Sequence, residues 1–430
     1  MFIKRMFFIL TLLIAAAPMF GAVAEIINGK ARDRIKDQYI VVFKAGRSPN
    51  NLRDQIVTLP PDDRATIRFD YGKALVGFAA ILPDRALKIV LASDDVQSVE
   101  ANIRAASTAT IQSQPASLRA SAPKGLDRID HRLLPLKGWS QFTEKGESVH
   151  AYVIDTGIRS THEEFSGRVS TGNNNGYSVI ADNLGTEDCN GHGTHVAGTI
   201  GGNNYGVAKK VTLHPVRVLD CDGFGDLAGI VAGVNWVMEH KVSPAVANMS
   251  LRLTRQSPTL KSAIQTSIAA NITYVVAAGN LLGRNACGYS PADVTDAITV
   301  GSVNPVSDRR SVLSATGQCI DLFAPGVRIL SATVSGRSNS AWEEMSGTSM
   351  AAAHVSGVAA LYLQNHTQAT PLDVWNAIHH SDDVAATPGW HGIDNLGLCS
   401  PNEMLHWGPR DDGFNDGDSS GREKTIASNQ

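Results

Sequence analysis

Asp155, His192 and Ser349 have the side chains that acyl transfer needs, and each stands in a glycine-rich setting of its own. Asp155 ends the apolar run AYVID and is followed by Thr156-Gly157. His192 lies in GHGTHVAGTI, and Ser349 lies in SGTSMAAAHVSGVAALYL at the start of an Ala-rich helical stretch. A serine hydroxyl is nearly unreactive at neutral pH unless a base takes its proton during attack. A buried carboxylate fixes the tautomer of that base and stabilises the imidazolium that forms. Taken singly, the three fit blander roles: a turn aspartate, a tight Gly-His-Gly turn and a helix cap. Taken jointly, they supply an orienter, a base and a nucleophile.

The elements that must hold them follow from periodicity. From residue 149 short apolar runs recur (VHAYVID, VTLHPVRVLD, AVANMSL, TYVVAAGN, AITVGSV, CIDLFAPG), with helical stretches such as GIVAGVNWVMEH and TLKSAIQTSIAAN between them. This alternation predicts an α/β fold: a mainly parallel sheet with helices on both faces. Thr370, Pro371 and Asp373 mark a helix start near its end. Ahead of it, strands at 38–44 and 75–82 and helices at 48–57 and 84–92 predict a small α+β domain. The stretch 105–124, rich in Ala, Ser, Thr, Gln and Pro, reads as a linker open to proteases. Lys4 and Arg5 before an apolar run, with Ala22-Val23-Ala24 behind it, read as a secretory signal. The residues after 408 are too poor in apolar side chains to fold alone. The expected division is therefore a signal at 1–24, the small domain at 25–108, the large one at 109–408 and a disordered acidic tail at 409–430.

Composition narrows the partners. A chain 43% hydrophobic and 18% charged is globular, and no later stretch is long and apolar enough to anchor it in a membrane. Residues 109–430 carry 23 Lys and Arg against 30 Asp and Glu, so no dense basic stripe exists to hold nucleic acid. Five cysteines in a secreted chain predict two disulfides and one left over, with the connectivity left open.

These motifs resemble those of the subtilisin-like serine proteases, and within them the proteinase K and aqualysin group. The resemblance runs from about 125 to 407 through GLDRID, VIDTGIRSTHEEF, DCNGHGTHVAGTIGG, VRVLDCDGFG, AAGN, YSPA, DLFAPG, GTSMA and SPN; residues 38–100 resemble the inhibitor propeptide of such enzymes. The resemblance implies a secreted, monomeric serine endopeptidase made as a self-processing zymogen, acting on proteins and peptides and inhibited at first by its own propeptide. On that reading Asp155 orients, His192 is base then acid, Ser349 is the nucleophile, and Asn280 in AAGN donates to the oxyanion. The peptide substrate would lie as an added strand between Gly223-Phe224-Gly225 and Ser250-Leu251-Arg252, with Gly279 beside it. Arg252 stands where the family usually has glycine, and it keeps open the alternative of a self-processing binding protein with little activity in trans. The resemblance also implies disulfides Cys189–Cys221 and Cys287–Cys319, with Cys399 left over, and a calcium ion held by the Asp321 carboxylate and the Thr295 and Ala297 carbonyls. His195 reads as a buried, hydrogen-bonded histidine. Aligning Ala-Thr-Ile-Gln-Ser with the family's mature start places the processing cut near Thr108–Ala109.

Overall fold

Alternating apolar residues in the first part of the chain build an antiparallel sheet laid against two helices. In chain order these are β1 (Arg34–Phe43), α1 (Asn50–Val57), β2 (Thr66–Tyr71), β3 (Gly77–Ile81), α2 (Asp84–Leu91) and β4 (Val96–Ser107), paired as β4-β1-β3-β2. The helices bury Leu52, Ile56, Ala86 and Val90 against one face. The computed structural model describes residues 25–112, 123–172, 175–334, 338–380, 393–397 and 399–407. The expected signal and acidic tail lie outside them.

β4 does not end with the small domain. The stretch expected to be an exposed linker begins inside this strand, and Ala105 and Thr108 are only 2% and 1% exposed. Its run of small side chains gives no apolar periodicity, yet backbone pairing needs none, and small residues fit a narrow cleft. β5 (Thr110–Gln112) follows.

After α3 (Lys124–Asp130) the chain forms β6 (His150–Asp155), the short β7 (Tyr177–Ser178), α4 (His192–Gly201) and β8 (Thr212–Arg217). The edge strand β9 (Phe224–Asp226), α5 (Leu227–His240), β10 (Ala245–Met249), β11 (Leu251–Leu253) and α6 (Pro258–Ala269) come next. Then follow β12 (Thr273–Ala277), β13 (Ile298–Val303), β14 (Leu322–Pro325), β15 (Ile329–Ala332), β16 (Trp342–Ser346), α7 (Thr348–Asn365) and α8 (Pro371–His380). Thr370 and Asp373 cap α8 reciprocally, as the sequence there predicts.

Seven of these strands make one parallel sheet in the order β14-β13-β12-β10-β6-β8-β7. Both faces are covered, which is why its strands are apolar runs. Ala151 and Val153 face α4 and α7, while Tyr152 and Ile154 face α5 and α6. From β6 the chain steps outward to β8, then returns to β10 on the other side. The crevice at the carboxyl ends of strands beside such a reversal is the usual ligand site of a parallel sheet, and Asp155 ends β6 there.

The second face of the small domain rests on α5. Ile40, Tyr71, Leu75 and Ile103 share a core with Leu227, Ile230, Val231 and Val234. Asn235 Oδ1 accepts from the backbone N–H groups of Gly72, Lys73 and Ala74 at 3.1, 2.9 and 3.1 Å. In return the small domain answers the free donors at two helix starts. Asn102 Oδ1 accepts from Ala228 N at 3.0 Å, and Glu100 Oε2 accepts from Thr259 N at 3.2 Å.

Candidate active site

Asp155, His192 and Ser349 come from three elements and meet at the crevice. Asp155 Oδ1 lies 2.7 Å from His192 Nδ1 and also accepts the Thr156 N–H at 2.7 Å. His192 opens α4, and its Nε2 lies 3.0 Å from Ser349 Oγ in the first turn of α7. All three are buried. A hydroxyl, an imidazole and a carboxylate in this series can move the serine proton to the ring while the carboxylate holds the ring's other N–H.

Asn280 follows β12 by three residues, and its Oδ1 accepts from Thr348 N at 3.0 Å and from Thr348 Oγ1 at 3.3 Å. That leaves Nδ2 as the free end. Gly347 makes room for it: a Cβ there would sit 2.8 Å from Asn280 Nδ2 and 2.4 Å from the Thr108 carbonyl oxygen.

The chain's own residues 104–108 occupy the cleft. Ala105 and Ala106 pair antiparallel with Gly225 and Phe224 on β9, and with Leu253 and Arg252 on β11. Ser107 N donates to Gly223 O at 3.0 Å and Thr108 N to Ser250 O at 3.2 Å. A Cβ on Gly225 would approach Val218 O to 2.4 Å, so the edge there requires glycine. Ser349 Oγ then reaches the Thr108 carbonyl oxygen at 2.5 Å, and Ser349 N reaches the same oxygen at 3.4 Å. Beyond it β5 pairs with β16, Thr110 opposite Ser346. Arg252 is partly buried, with its Cδ 3.5 Å from the point where a Cβ on Gly279 would stand.

Two positioning groups escape sequence reasoning. The fully buried Asp188 accepts from Asn190 N, Gly191 N, Thr194 N and the hydroxyls of Thr156 and Thr194, which fixes the loop before His192; burial pushes its carboxyl up. Thr348 holds Asn280 and accepts the Gly279 N–H at 3.1 Å. An aspartate shortly before a glycine-flanked helix start is the signal that could have found the first.

Cys189 is bonded to Cys221, tying the His192 loop to the turn before β9, and Cys287 is bonded to Cys319; Cys399 is exposed and free. His195 Nε2 lies 2.9 Å from Ile329 O and 3.1 Å from Glu343 O, and burial pushes the ring down to about 3, so it is a neutral core group. Thr295, Ala297 and Asp321 line one cavity of about 260 Å³. Burial, helped by nearby Glu403, pushes the Asp321 carboxyl up to about 6. A cation would relieve that buried charge, and a donor set of carboxylate and carbonyl oxygens suits a hard one such as calcium.

Comparison with known proteins agrees with the fold. The description "Subtilase family" matches residues 146–402. An extracellular serine proteinase of Thermus sp. (strain Rt41A) is 43% identical over 401 residues, covering 89% of this chain and 92% of that protein. Alkaline serine exoprotease A of Vibrio alginolyticus is 42% identical over 348 residues, covering 79% of this chain and 63% of its own length. Among solved structures, a cold adapted subtilisin-like serine proteinase is 44% identical, covering 67% of this chain and 98% of that one, with a TM-score of 0.59. Fervidolysin from Fervidobacterium pennivorans, at 21% identity and a TM-score of 0.67 over 88% of this chain and 61% of its own, is similar in fold.

Proposed function

The chain belongs to the subtilase family and is a serine endopeptidase, and from that premise we propose that it is a secreted zymogen that cuts itself between Thr108 and Ala109. Residues 1–24 serve as its export signal, 25–108 as folding template and temporary inhibitor, and 109–408 as a monomeric peptidase acting on proteins. One observation carries this reading: Ser349 Oγ stands 3.0 Å from His192 Nε2 on one side and 2.5 Å from the Thr108 carbonyl oxygen on the other.

His192 Nε2 takes the hydroxyl proton as Oγ bonds to the Thr108 carbonyl carbon. Asp155 holds the Nδ1–H and stabilises the imidazolium. Ser349 N and Asn280 Nδ2 donate to the oxygen as it becomes negative. When the bond to Ala109 breaks, His192 returns its proton to the departing nitrogen. Water, deprotonated by the same ring, then releases the Thr108 carboxyl from the serine. Protein substrates take the same path once the strand at 104–108 has left the edges of β9 and β11. A calcium ion, when bound by Asp321, Thr295 and Ala297, supplies charge compensation and rigidity to the loop before β13. The extracellular relatives and the two disulfides support the secreted assignment.

Ser349→Ala should leave one uncut chain, whereas the natural chain yields two fragments whose larger member begins at Ala109 by N-terminal sequencing. A Ser349→Ala chain that is still cut at residue 108 when expressed alone would assign the processing to another protease.

A further inference from the structure

Among the described residues no hydrogen-bond or ion-pair partner meets the Arg252 guanidinium. Two cations of the surrounding elements are neutralised, whereas Arg104, exposed in the cleft strand itself, has no ion-pair partner among the described residues. Arg255 pairs with Asp33 of the small domain at 2.7 Å, and Arg68 pairs with Asp226 at 3.0 Å. Arg252 is partly buried because its stem lies along the cleft wall by Gly279. It stands directly opposite Ala106 in the antiparallel pairing of β11 with the strand in the cleft. Opposed residues of such a pair put their side chains on the same face, with Cβ atoms about 4.5–5.5 Å apart. Ala106 offers this cation only a methyl group.

A guanidinium held partly out of water, with no anion beside it, receives a carboxylate through two parallel N–H donors more strongly than a hydrated ammonium does. We propose that Arg252 is a specificity-determining residue, selecting peptides with Asp or Glu at the position of Ala106, two residues before the one whose carbonyl is attacked. This rests on the assignment of the cleft given above. It also explains how the cleft is vacated: the chain's own segment is held without this contact, so an acidic substrate competes with it at an advantage.

The test uses enzyme matured from the full chain and peptides of its own sequence, Arg-Ala-Ala-Ser-Thr-Ala-Thr-Ile, with the third residue replaced by Gln or Glu. In the natural enzyme kcat/KM for Glu should exceed that for Gln by about tenfold at low salt, a charge-assisted bond discounted for partial exposure. The ratio should shrink towards one in about 1 M salt. Within Arg252→Gln the ratio should fall to about one, and within Arg252→Lys it should keep an intermediate value. Equal cleavage of the Glu and Gln peptides by the natural enzyme overturns the proposal. So does a preference that survives Arg252→Gln, or an acidic preference found only when the residue matching Thr108 is varied instead. Cleavage of the Gln peptide by the matured enzyme, and its loss after treatment with a serine-directed phosphonylating reagent, reports on the active site itself, so the two assignments fail separately.

Discussion

With its amide oxygen engaged by both the backbone and the hydroxyl of Thr348, Asn280 has only Nδ2 left to give. Thr348 is itself fixed by the N–H of Gly279. The donor is thus aimed before any charge develops, and it costs no reorganisation when the oxyanion forms. Asn280→Ala should therefore lower kcat by about 100- to 1,000-fold with little change in KM. That is the range met when one such donor is removed from enzymes of this chemistry, not a value obtained from these distances. Steady-state kinetics on a short peptide would check it, and the unsplit chain should persist longer because processing uses the same donor. A loss below threefold would mean that the Ser349 N–H suffices alone.

Helix starts are where the two domains read each other. Asn102 and Glu100 of β4 answer donors at the beginnings of α5 and α6, and Glu100 is also held by Asn28 at 2.8 Å. Burial at this junction raises the Glu100 carboxyl above its ordinary value of 4.5. The docked state then binds more protons than the undocked one, so docking is strongest at low pH and weakens as pH rises through the raised value. After the cut, the small fragment should leave faster at pH 8 than at pH 5, as followed on native gels, and Glu100→Gln should flatten the difference. Faster release at pH 5 would reverse the sign and discard the argument. None of this junction is legible in the sequence, because a carboxylate capping a distant helix leaves no local pattern. Asp155, His192, Ser349 and Asn280 are legible, since each sits in a glycine-marked motif where an element begins or ends. Thr348 is not, because its work is to hold the Asn280 amide and the Gly279 N–H, and Asp188 leaves only the mark of an aspartate before a glycine-flanked helix start. The four predicted elements of the small domain appear within a few residues of their expected limits. β2 and β4 leave no clear pattern in the sequence because part of their apolar face is completed only by the large domain.

At the scale of the whole molecule, the order of the parallel sheet poses a folding problem. β6 pairs with β10 across two intervening helices and three strands, and every parallel pair needs a crossover. Contacts so distant in sequence close large loops before they return any stabilisation, which makes such sheets slow to form. In the small domain β2 and β3 are adjacent in the chain, and even β1 and β4 close a shorter loop than β6 and β10 do, so it can form earlier. Its exposed face then offers α5 a ready apolar surface, and β4 offers a partner to β9 and β11, each three residues long and paired among the described elements with β4 alone. A chain beginning at Ala109 should consequently regain native tryptophan fluorescence at least about tenfold more slowly than the full Ser349→Ala chain after dilution from guanidinium under oxidising conditions. Supplying residues 25–108 separately should restore part of the rate, in proportion to its concentration. If the shortened chain refolded as fast as the full one, the large domain would hold its own nucleus, and the strand in the cleft would be an inhibitor without a part in folding.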